Sequence, residues 1–371
     1  MRKTIPLLTL LAIIITISLS GCSGYGDNDE VVNINDEELA LADESVEPDE
    51  IVVESGGEIL TIHFIDVGQA DAIWIDYGEY EILIDGGNRK DTKLVADYIS
   101  QYVDGPIELV IGTHLDADHI GGLIGLIPLF DIDKIIYNGS GKSNVTCNDF
   151  RSAASSKQNC EFSAAVDLTV KIDDNVSFVI IPPVKNYKDE NENSIIAELI
   201  YNDVKVLFTG DMEKDSERDL MNRFTKADVL KLSHHGSKYT SSTTFLNIVK
   251  PEIVIITAGL VNQYNHPHYD ALERVFNVGA TAYGTFKDGT IVMSTDGKSY
   301  NFDAKTPLTL RDAGDRVSNA AIVNYIGNIS TKKIHYLDCS SVTLIAEKNR
   351  IYFTSMSEAS GYAPCGICKP Q

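Results

Sequence analysis

The chain has 371 residues, 43% of them apolar, with 54 acids against 31 bases for a net charge of −23. That length allows two or three domains and the apolar fraction supplies a sizeable core, which excludes a chain disordered throughout. The acid excess argues against a nucleic-acid binder held by general positive charge, because a polyanion is normally met by a basic stripe.

Arg2 and Lys3 precede an apolar run from Ile5 to Leu19, too short to span a membrane comfortably, which reads as a signal peptide. It closes in Leu19-Ser20-Gly21-Cys22, where small residues directly before a cysteine resemble a bacterial lipobox. The resemblance implies removal of residues 1–22 up to a lipidated Cys22; the alternative is an uncleaved anchor helix. Either way the rest of the chain is expected outside the cytoplasm, on the cell membrane. From Ser23 to Glu58 there are thirteen acids and no Lys or Arg, so residues 23–58 are expected to form a disordered, self-repelling tether. Residues 1–58 carry −11 of the total charge, and the rest of the chain stays acidic.

Ile59–Asp66 alternates apolar and polar residues as a half-buried strand does, and Ala72–Asp76 and Tyr80–Asp85 read similarly. Thr92–Tyr102 has helical spacing, with Leu94, Val95, Tyr98 and Ile99 on one face. Leu109-Val110-Ile111 then predicts a buried strand ending in Thr113-His114-Leu115-Asp116-Ala117-Asp118-His119-Ile120-Gly121-Gly122. Two imidazoles and two carboxylates within six residues suit zinc, manganese or iron better than calcium or magnesium, whose sites rarely use imidazole. Gly121-Gly122 is expected to open a helix facing an anion. Asn138–Phe162 reads as a polar insertion whose Cys147 and Cys160 are expected to pair as a disulfide in an exported protein. Ile195–Leu199 and Val204–Phe208 predict a hairpin turning near Asn202-Asp203, and Asp211 follows the second strand. Val229–Leu232 repeats the pattern of strand, polar ligands and glycine, with Ser233-His234-His235-Gly236; alternation does not say which imidazole faces the metal. A helix over Tyr269–Val278 and strands at Ala280–Gly284, Gly289–Ser294 and Ser299–Phe302 complete residues 59–304.

The decapeptide 113–122 resembles the His-x-His-x-Asp-His motif of the metallo-β-lactamase superfamily, with Asp116 where most members have His. That departure resembles the branch holding the ComEC DNA-uptake proteins and the phosphorylcholine esterases. Asp66-Val67-Gly68-Gln69-Ala70-Asp71-Ala72 resembles the ComEC opening Asp-Val-Gly-Gln-Gly-Asp-Ala. Ala70 in place of glycine requires an ordinary backbone angle there. The resemblance implies an α+β fold, a four-layer αββα sandwich, with two divalent ions, zinc or manganese. His114, Asp116 and Asp211 would hold one, and Asp118, His119, His235 and a bridging Asp211 the other. It further implies supporting or lining roles for Asp66, Asp85, Asn193, Ser194 and His234. Asp118 is expected to act in catalysis, with His266 of Asn262-Gln263-Tyr264-Asn265-His266-Pro267 contacting a phosphate or a leaving oxygen. Hydrolysis of a phosphodiester by an activated water is the implied chemistry, with extracellular DNA as substrate. A cell-wall or teichoic-acid phosphodiester is the second reading, and a non-catalytic DNA-capture protein a third.

After a linker at 305–321, residues 322–371 change in character, with five bases against three acids. His335 and Cys339, then Cys365-Gly366-Ile367-Cys368, have the spacing of a structural zinc site that staples a module too small for its own core. This module resembles the zinc domain of Ada-type DNA repair proteins. His335 stands where those proteins carry the methyl-accepting cysteine, so methyl transfer is not expected, and DNA contact or simple stapling remain. A disulfide between two of the three cysteines is the alternative.

Overall fold

The computed structural model describes residues 58–316, 325–337, 339–353, 356 and 359–370. The predicted leader with Cys22, all of the tether except Glu58, and residues 317–321 of the linker lie outside these. No helix among the described residues is long and apolar enough to cross a membrane.

The first half runs β1 (Leu60–Phe64), β2 (Ile73–Tyr77), β3 (Tyr80–Ile84), α1 (Thr92–Ile99), β4 (Ile107–Gly112), α2 (Ala117–Ile120), α3 (Leu123–Leu126), β5 (Ile132–Tyr137), α4 (Val145–Ser156) and β6 (Glu161–Ala164). The second half runs β7 (Leu168–Lys171), β8 (Val176–Ile181), β9 (Ile196–Tyr201), β10 (Val204–Phe208), α5 (Lys214–Leu220), β11 (Val229–Lys231), α6 (Thr243–Val249), β12 (Ile253–Ile256), α7 (Tyr269–Asn277), β13 (Thr281–Gly284) and α8 (Thr285–Asp288). β14 (Ile291–Thr295) and β15 (Tyr300–Phe302) return to the first sheet, where β14 pairs with β1. The sheets are ordered β15-β14-β1-β2-β3-β4-β5-β6 and β13-β12-β11-β10-β9-β8-β7.

Side-chain alternation sets the layers. Ile62 and Phe64 of β1, Ile82 and Ile84 of β3, Val206 and Phe208 of β10, and Ile255 of β12 meet in one buried cluster between the sheets. Leu83 of β3 faces the other way, with Trp74, Val95 and Leu123 under the first helices, and Leu207 packs with Leu246, Leu272 and Val275 under the second set. Three apolar layers between four structural ones make the αββα sandwich. Ala70 is fully buried and is absent from the positive-φ positions, as its replacement of glycine requires.

What this topology does for function follows from strand direction. β3 to β6 are parallel, and so are β10 to β13. The carboxyl ends of β3, β4, β10, β11 and β12 are followed by Asp85, Thr113-His114, Thr209-Gly210-Asp211, Leu232–His235 and Thr257. Each turn that carries a candidate ligand therefore leaves one end of a sheet, the usual place for a site in parallel α/β sheets.

Gly122 opens a helix, as the sequence suggested, by capping α3, but the Gly121 and Gly122 amides donate to the Ala117 and Gly87 carbonyls rather than facing an anion, and both glycines serve close approach. A Cβ on Gly122 would lie 1.8 Å from the Gly86 carbonyl oxygen, and one on Gly121 2.2 Å from that of Ala117. The Gly86 amide in turn donates to the His119 carbonyl at 2.8 Å, so glycine at 122 lets the turn after Asp85 interlock with the turn that carries the ligands.

The expected insertion at 138–162 is a loop over 138–144 followed by α4 and the start of β6. Asn144 caps α4 by accepting from the Cys147 amide, and Cys147, Phe150 and Ala154 recur at helical spacing on its buried face. This removes the expected disulfide. Both thiols are free: Cys147 donates inward to the Leu115 carbonyl at 3.3 Å, and Cys160 faces the Glu161 carbonyl next to it. The linker also starts later than 305, because the Leu308 amide donates to Ala282 and the Gly314 amide to Pro267.

In the C-terminal segment, β16 (Tyr325–Asn328), β17 (Lys333–Tyr336), β18 (Arg350–Phe353) and β19 (Ala363–Pro364) form a separate sheet ordered β18-β16-β17-β19. β17 and β19 run parallel with Ile334 opposite Pro364, which sets His335 beside Cys365.

Candidate metal centre

The centre is built from the second layer outwards. Asp85, fully buried at φ +58 directly after β3, accepts from the Thr113 amide at 2.8 Å, the Thr113 hydroxyl at 2.7 Å and His119 Nδ1 at 2.7 Å. One carboxylate thus fixes the turn that carries His114 and orients the His119 ring. His235 is oriented in the same way, its Nδ1 lying 2.7 Å from the Thr257 carbonyl. His114 Nδ1 lies 3.2 Å from the Thr113 hydroxyl and 3.4 Å from that of Ser194. With the Nδ1 atoms engaged, the Nε2 atoms of His114, His119 and His235 point inward and lack a hydrogen-bond partner among the described residues, as does Asp211 Oδ1. Three buried imidazole nitrogens left open in this way are what a metal centre requires, since a neutral imidazole binds metal through one nitrogen while its other nitrogen is held.

The separations fit an ion. Asp211 Oδ2 lies 3.3 Å from His119 Nε2 and 3.5 Å from His235 Nε2, and Asp118 Oδ2 lies 3.8 Å from His235 Nε2. Metal bonds of about 2.0–2.2 Å in a tetrahedron put ligand atoms roughly 3.4 Å apart, close to these values. Donor atoms of Asp118, His119 and His235 gather within 4.8 Å of one another, and so do those of His114, His119 and Asp211.

His234 and His235 both approach Asp211 because the backbone turns left-handed at His234 (φ 48), His235 (φ 54) and Gly236 (φ 83). This breaks the strand alternation that left the two rings undecided in the sequence. His235 is buried with its Nε2 open, whereas His234 is tied by Nδ1 to Glu213 at 3.0 Å and reaches Asp211 at 3.6 Å from a partly exposed position. Two non-glycine residues at positive φ carry a local conformational cost, of the kind that clusters at functional turns.

The remaining predicted residues are distributed unevenly. Asp116 is about a third exposed; its Oδ2 lies 3.8 Å from His114 Nε2 while its Oδ1 is paired with the Lys142 ammonium. Ser194 accepts from the Asp211 amide at 3.1 Å. Asn193 does not line the centre: its amide group donates to the Tyr187 and Asp189 carbonyls and accepts from the Tyr187 amide, pinning the preceding loop. Asp66 likewise departs from expectation, since its carboxylate accepts from the Gly68 amide and shapes that turn. His266 lies beyond His234, with ring centroids 5.3 Å apart, and its Nδ1 is 3.2 Å from Gln69 Nε2. Burial, helped by the neighbouring histidines, lowers its pKa to about 3, so the ring is neutral. Asp118 also lies on the wall of a cleft of about 600 Å³ lined by Gln69, Asn88, Lys90, Leu260 and Tyr264.

Two residues were not anticipated. Asp71, buried, receives the fully buried Lys231 ammonium at 2.5 Å, accepts from the Thr257 hydroxyl and lies 3.4 Å from His235 Nδ1. Burial opposes its charge, but Lys231 and then His235 hold the carboxyl well below its usual range. Lys231 also reaches Asp211 Oδ1 at 3.9 Å and donates to the Gly210 carbonyl at 3.2 Å. A single ammonium inside an otherwise apolar strand, Val229-Leu230-Lys231-Leu232, was the available signal: such a charge is retained only with buried partners.

At the other end of the chain, His335, Cys339, Cys365 and Cys368 bring one donor atom each within 4.8 Å of the others, and His335 Nδ1 has no hydrogen-bond partner among the described residues. Backbone N–H groups at Cys368 and Ile367 lower the Cys365 pKa to about 7, favouring the thiolate that binds metal. The donor set suits zinc.

A model of the metallo-beta-lactamase superfamily matches residues 65–259. ComE operon protein 3 of Bacillus subtilis is 25% identical over 271 residues, covering 68% of this chain and 35% of that protein. Recombination protein 2 of Haemophilus influenzae is 28% identical over 233 residues, 61% of this chain and 28% of that one. Competence protein ComA of Neisseria gonorrhoeae is 28% identical over 220 residues, 57% and 28% respectively. The chain therefore spans 28–35% of the length of these curated relatives. Among solved structures, the metallo-beta-lactamase fold protein YhfI from Bacillus subtilis aligns over 64% of this chain and 100% of its own, at 11% identity and a TM-score of 0.45.

The protonation of the centre makes a direct prediction. Burial lowers the pKa of His235, but Asp211 and Asp71 outweigh it and raise it to about 10; Asp211 and Asp85 likewise raise His119 well above the ordinary imidazole value. Both rings therefore carry protons at neutral pH in the metal-free protein. The ion bound by His119 and His235 must displace them, so its affinity is expected to rise with pH across the neutral range, with release of about two protons at pH 7. Calorimetry in buffers of different ionisation enthalpy measures this release; a pH-independent affinity with no proton release would contradict the assignment.

Proposed function

The chain belongs to the metallo-β-lactamase superfamily, and from that premise we propose that it is an exported, lipid-anchored, metal-dependent phosphodiesterase that cleaves DNA outside the cytoplasm. The observation that carries the reading is the convergence of three open, buried imidazole nitrogens on Asp211. Divalent ions held there, zinc or manganese, would supply Lewis acidity and a water of lowered pKa.

In this reading Asp118, His119, Asp211 and His235 hold one ion, and His114, Asp116 and Asp211 are the donors for a second. Asp118, on the cleft wall, accepts the proton of the attacking water. Neutral His266, steadied by Gln69, faces a phosphate or leaving oxygen from the far side of His234. Asp85, Thr257 and Asp71 keep the imidazoles oriented, and Lys231 balances the buried carboxylates.

DNA as the substrate is supported by the printed names of the relatives, two of which refer to competence or recombination. The acidity of the folded part opposes DNA binding by general positive charge, and a cell-wall phosphodiester stands as the second reading. A bound structural zinc in the His335 cluster, stapling residues 322–371, completes the proposal.

Two experiments test it. The manganese- or zinc-loaded chain should cleave single- or double-stranded DNA, and Asp118→Ala with Asp211→Ala should lower the rate about a hundredfold or more. No cleavage by either, with cleavage of a teichoic-acid phosphodiester by the unaltered chain alone, would move the assignment to the second substrate. Lipidation is read by incorporation of labelled palmitate in a bacterial host, expected in the natural sequence and absent in Cys22→Ser; equal labelling of both would remove the anchor.

A further inference from the structure

We propose that the two halves of the metal centre are unequal, and that Lys142 holds the His114 half against a second ion of equal affinity. This rests on the reading of the centre as a metal site and goes beyond it by assigning Lys142 a part in its occupancy.

The asymmetry begins with the donors. On one side Asp118, His119 and His235 gather within 4.8 Å of one another, Asp211 Oδ2 lies 3.3 and 3.5 Å from the His119 and His235 Nε2 atoms, and no Lys or Arg pairs with Asp118 among the ion pairs of the described residues. On the other side His114 is grouped only with His119 and Asp211, both of which the first half already uses. Asp116 joins no such group of three. Ser194 is spent on the Asp211 amide and the His114 ring, and Asn193 is turned to Tyr187 and Asp189. Asp116 is therefore the donor on which a second ion depends, and its Oδ1 already holds the Lys142 ammonium.

That pairing is built, not incidental. Glu190 accepts from the Leu115 amide at 3.0 Å, in the metal-binding turn itself, and from Asn138 Nδ2 at 2.9 Å and the Ser140 hydroxyl at 2.8 Å. The Ser140 hydroxyl then accepts from the Lys142 amide at 3.1 Å, and Arg151 on α4 donates to the Ser140 and Lys142 carbonyls at 2.7 and 2.8 Å. One carboxylate thus grips both the strand of residues before Asp116 and the segment that delivers Lys142. Exposed ion pairs are weak largely because two long side chains must be ordered to make them; here the backbone on both sides is already fixed. A divalent ion between His114 and Asp116 Oδ2 would sit close to the ammonium held on Oδ1 of the same carboxylate, so it binds with the repulsion of that charge against it.

The test is titration of the full chain, carrying zinc in its cysteine cluster, with Mn²⁺ followed by calorimetry. Manganese is a hard ion that thiolates do not favour, so its steps report the carboxylate–imidazole centre. The natural sequence is expected to show one tight step and a second at least tenfold weaker. Lys142→Gln should tighten the second step by about tenfold while leaving the first unchanged, a change of the size that neighbours of metal ligands produce. Lys142→Arg, which keeps the charge, should leave the second step as it was. Asp116→Asn should abolish the second step alone. Two equal steps in the natural sequence, or no change in Lys142→Gln, would overturn this inference and leave the metal centre standing. Absence of any manganese step would remove the metal centre itself.

Discussion

Asp71, Asp85 and Asp211 put three carboxylates, each almost wholly out of water, at the end of two packed sheets. Charges in such a place are tolerated only when paired and hydrogen-bonded, and much of the architecture answers that need. Lys231 neutralises Asp71 and leans toward Asp211; His119 lies between Asp85 and Asp211; His235 lies between Asp71 and Asp211. The parallel strands bring the turns together, and the glycines at 121 and 122 let them interlock. Without a cation the excess negative charge is held by protons on the imidazoles; with one, the same donors become its ligands. The site is thus a balance of buried charges before it is a catalyst.

The two metal-binding donor sets of the chain are chemically distinct. The hydrolase centre offers imidazole nitrogens and carboxylate oxygens, whereas the C-terminal cluster offers three sulfurs and one imidazole. Soft thiolates select zinc over hard ions, and a carboxylate-rich centre accepts manganese or zinc, so the two sites need not compete for the same ion. The parallel pairing of β17 with β19 gives the second site its closure, because residues about thirty apart in sequence are brought side by side by one short register.

Much of this was legible in the sequence, and the reasons for success and failure are physical. The decapeptide at 113–122 was readable because its donors are contiguous and follow a buried strand, and Asp85 because it follows another. Asp71 was passed over because it stands in a turn, where acids are ordinary, and Lys231 because charge normally marks a solvated face. The choice between His234 and His235 was hidden by left-handed backbone that no alternation rule anticipates. The stretch 138–162 that holds α4 was read as a polar insertion because it is rich in Ser, Asn and Lys, although Cys147, Phe150 and Ala154 keep helical spacing. Counting cysteines then suggested a disulfide where the helix buries one thiol and the other stands just before β6. Asp66 and Asn193 were credited with the site by motif position, yet each is used by its own loop.

The central claim is that Asp211 with the Nε2 atoms of His119 and His235 forms the heart of a metal centre. Anomalous diffraction at the manganese and zinc edges, from crystals equilibrated with both ions, tests it most directly. The account predicts a peak about 2.0–2.2 Å from Asp211 Oδ2, His119 Nε2 and His235 Nε2, with Nδ1 of those rings still on Asp85 and Thr257. Anomalous density at the cysteine cluster with none at Asp211, or an ion bound through Nδ1 with those hydrogen bonds broken, would contradict it.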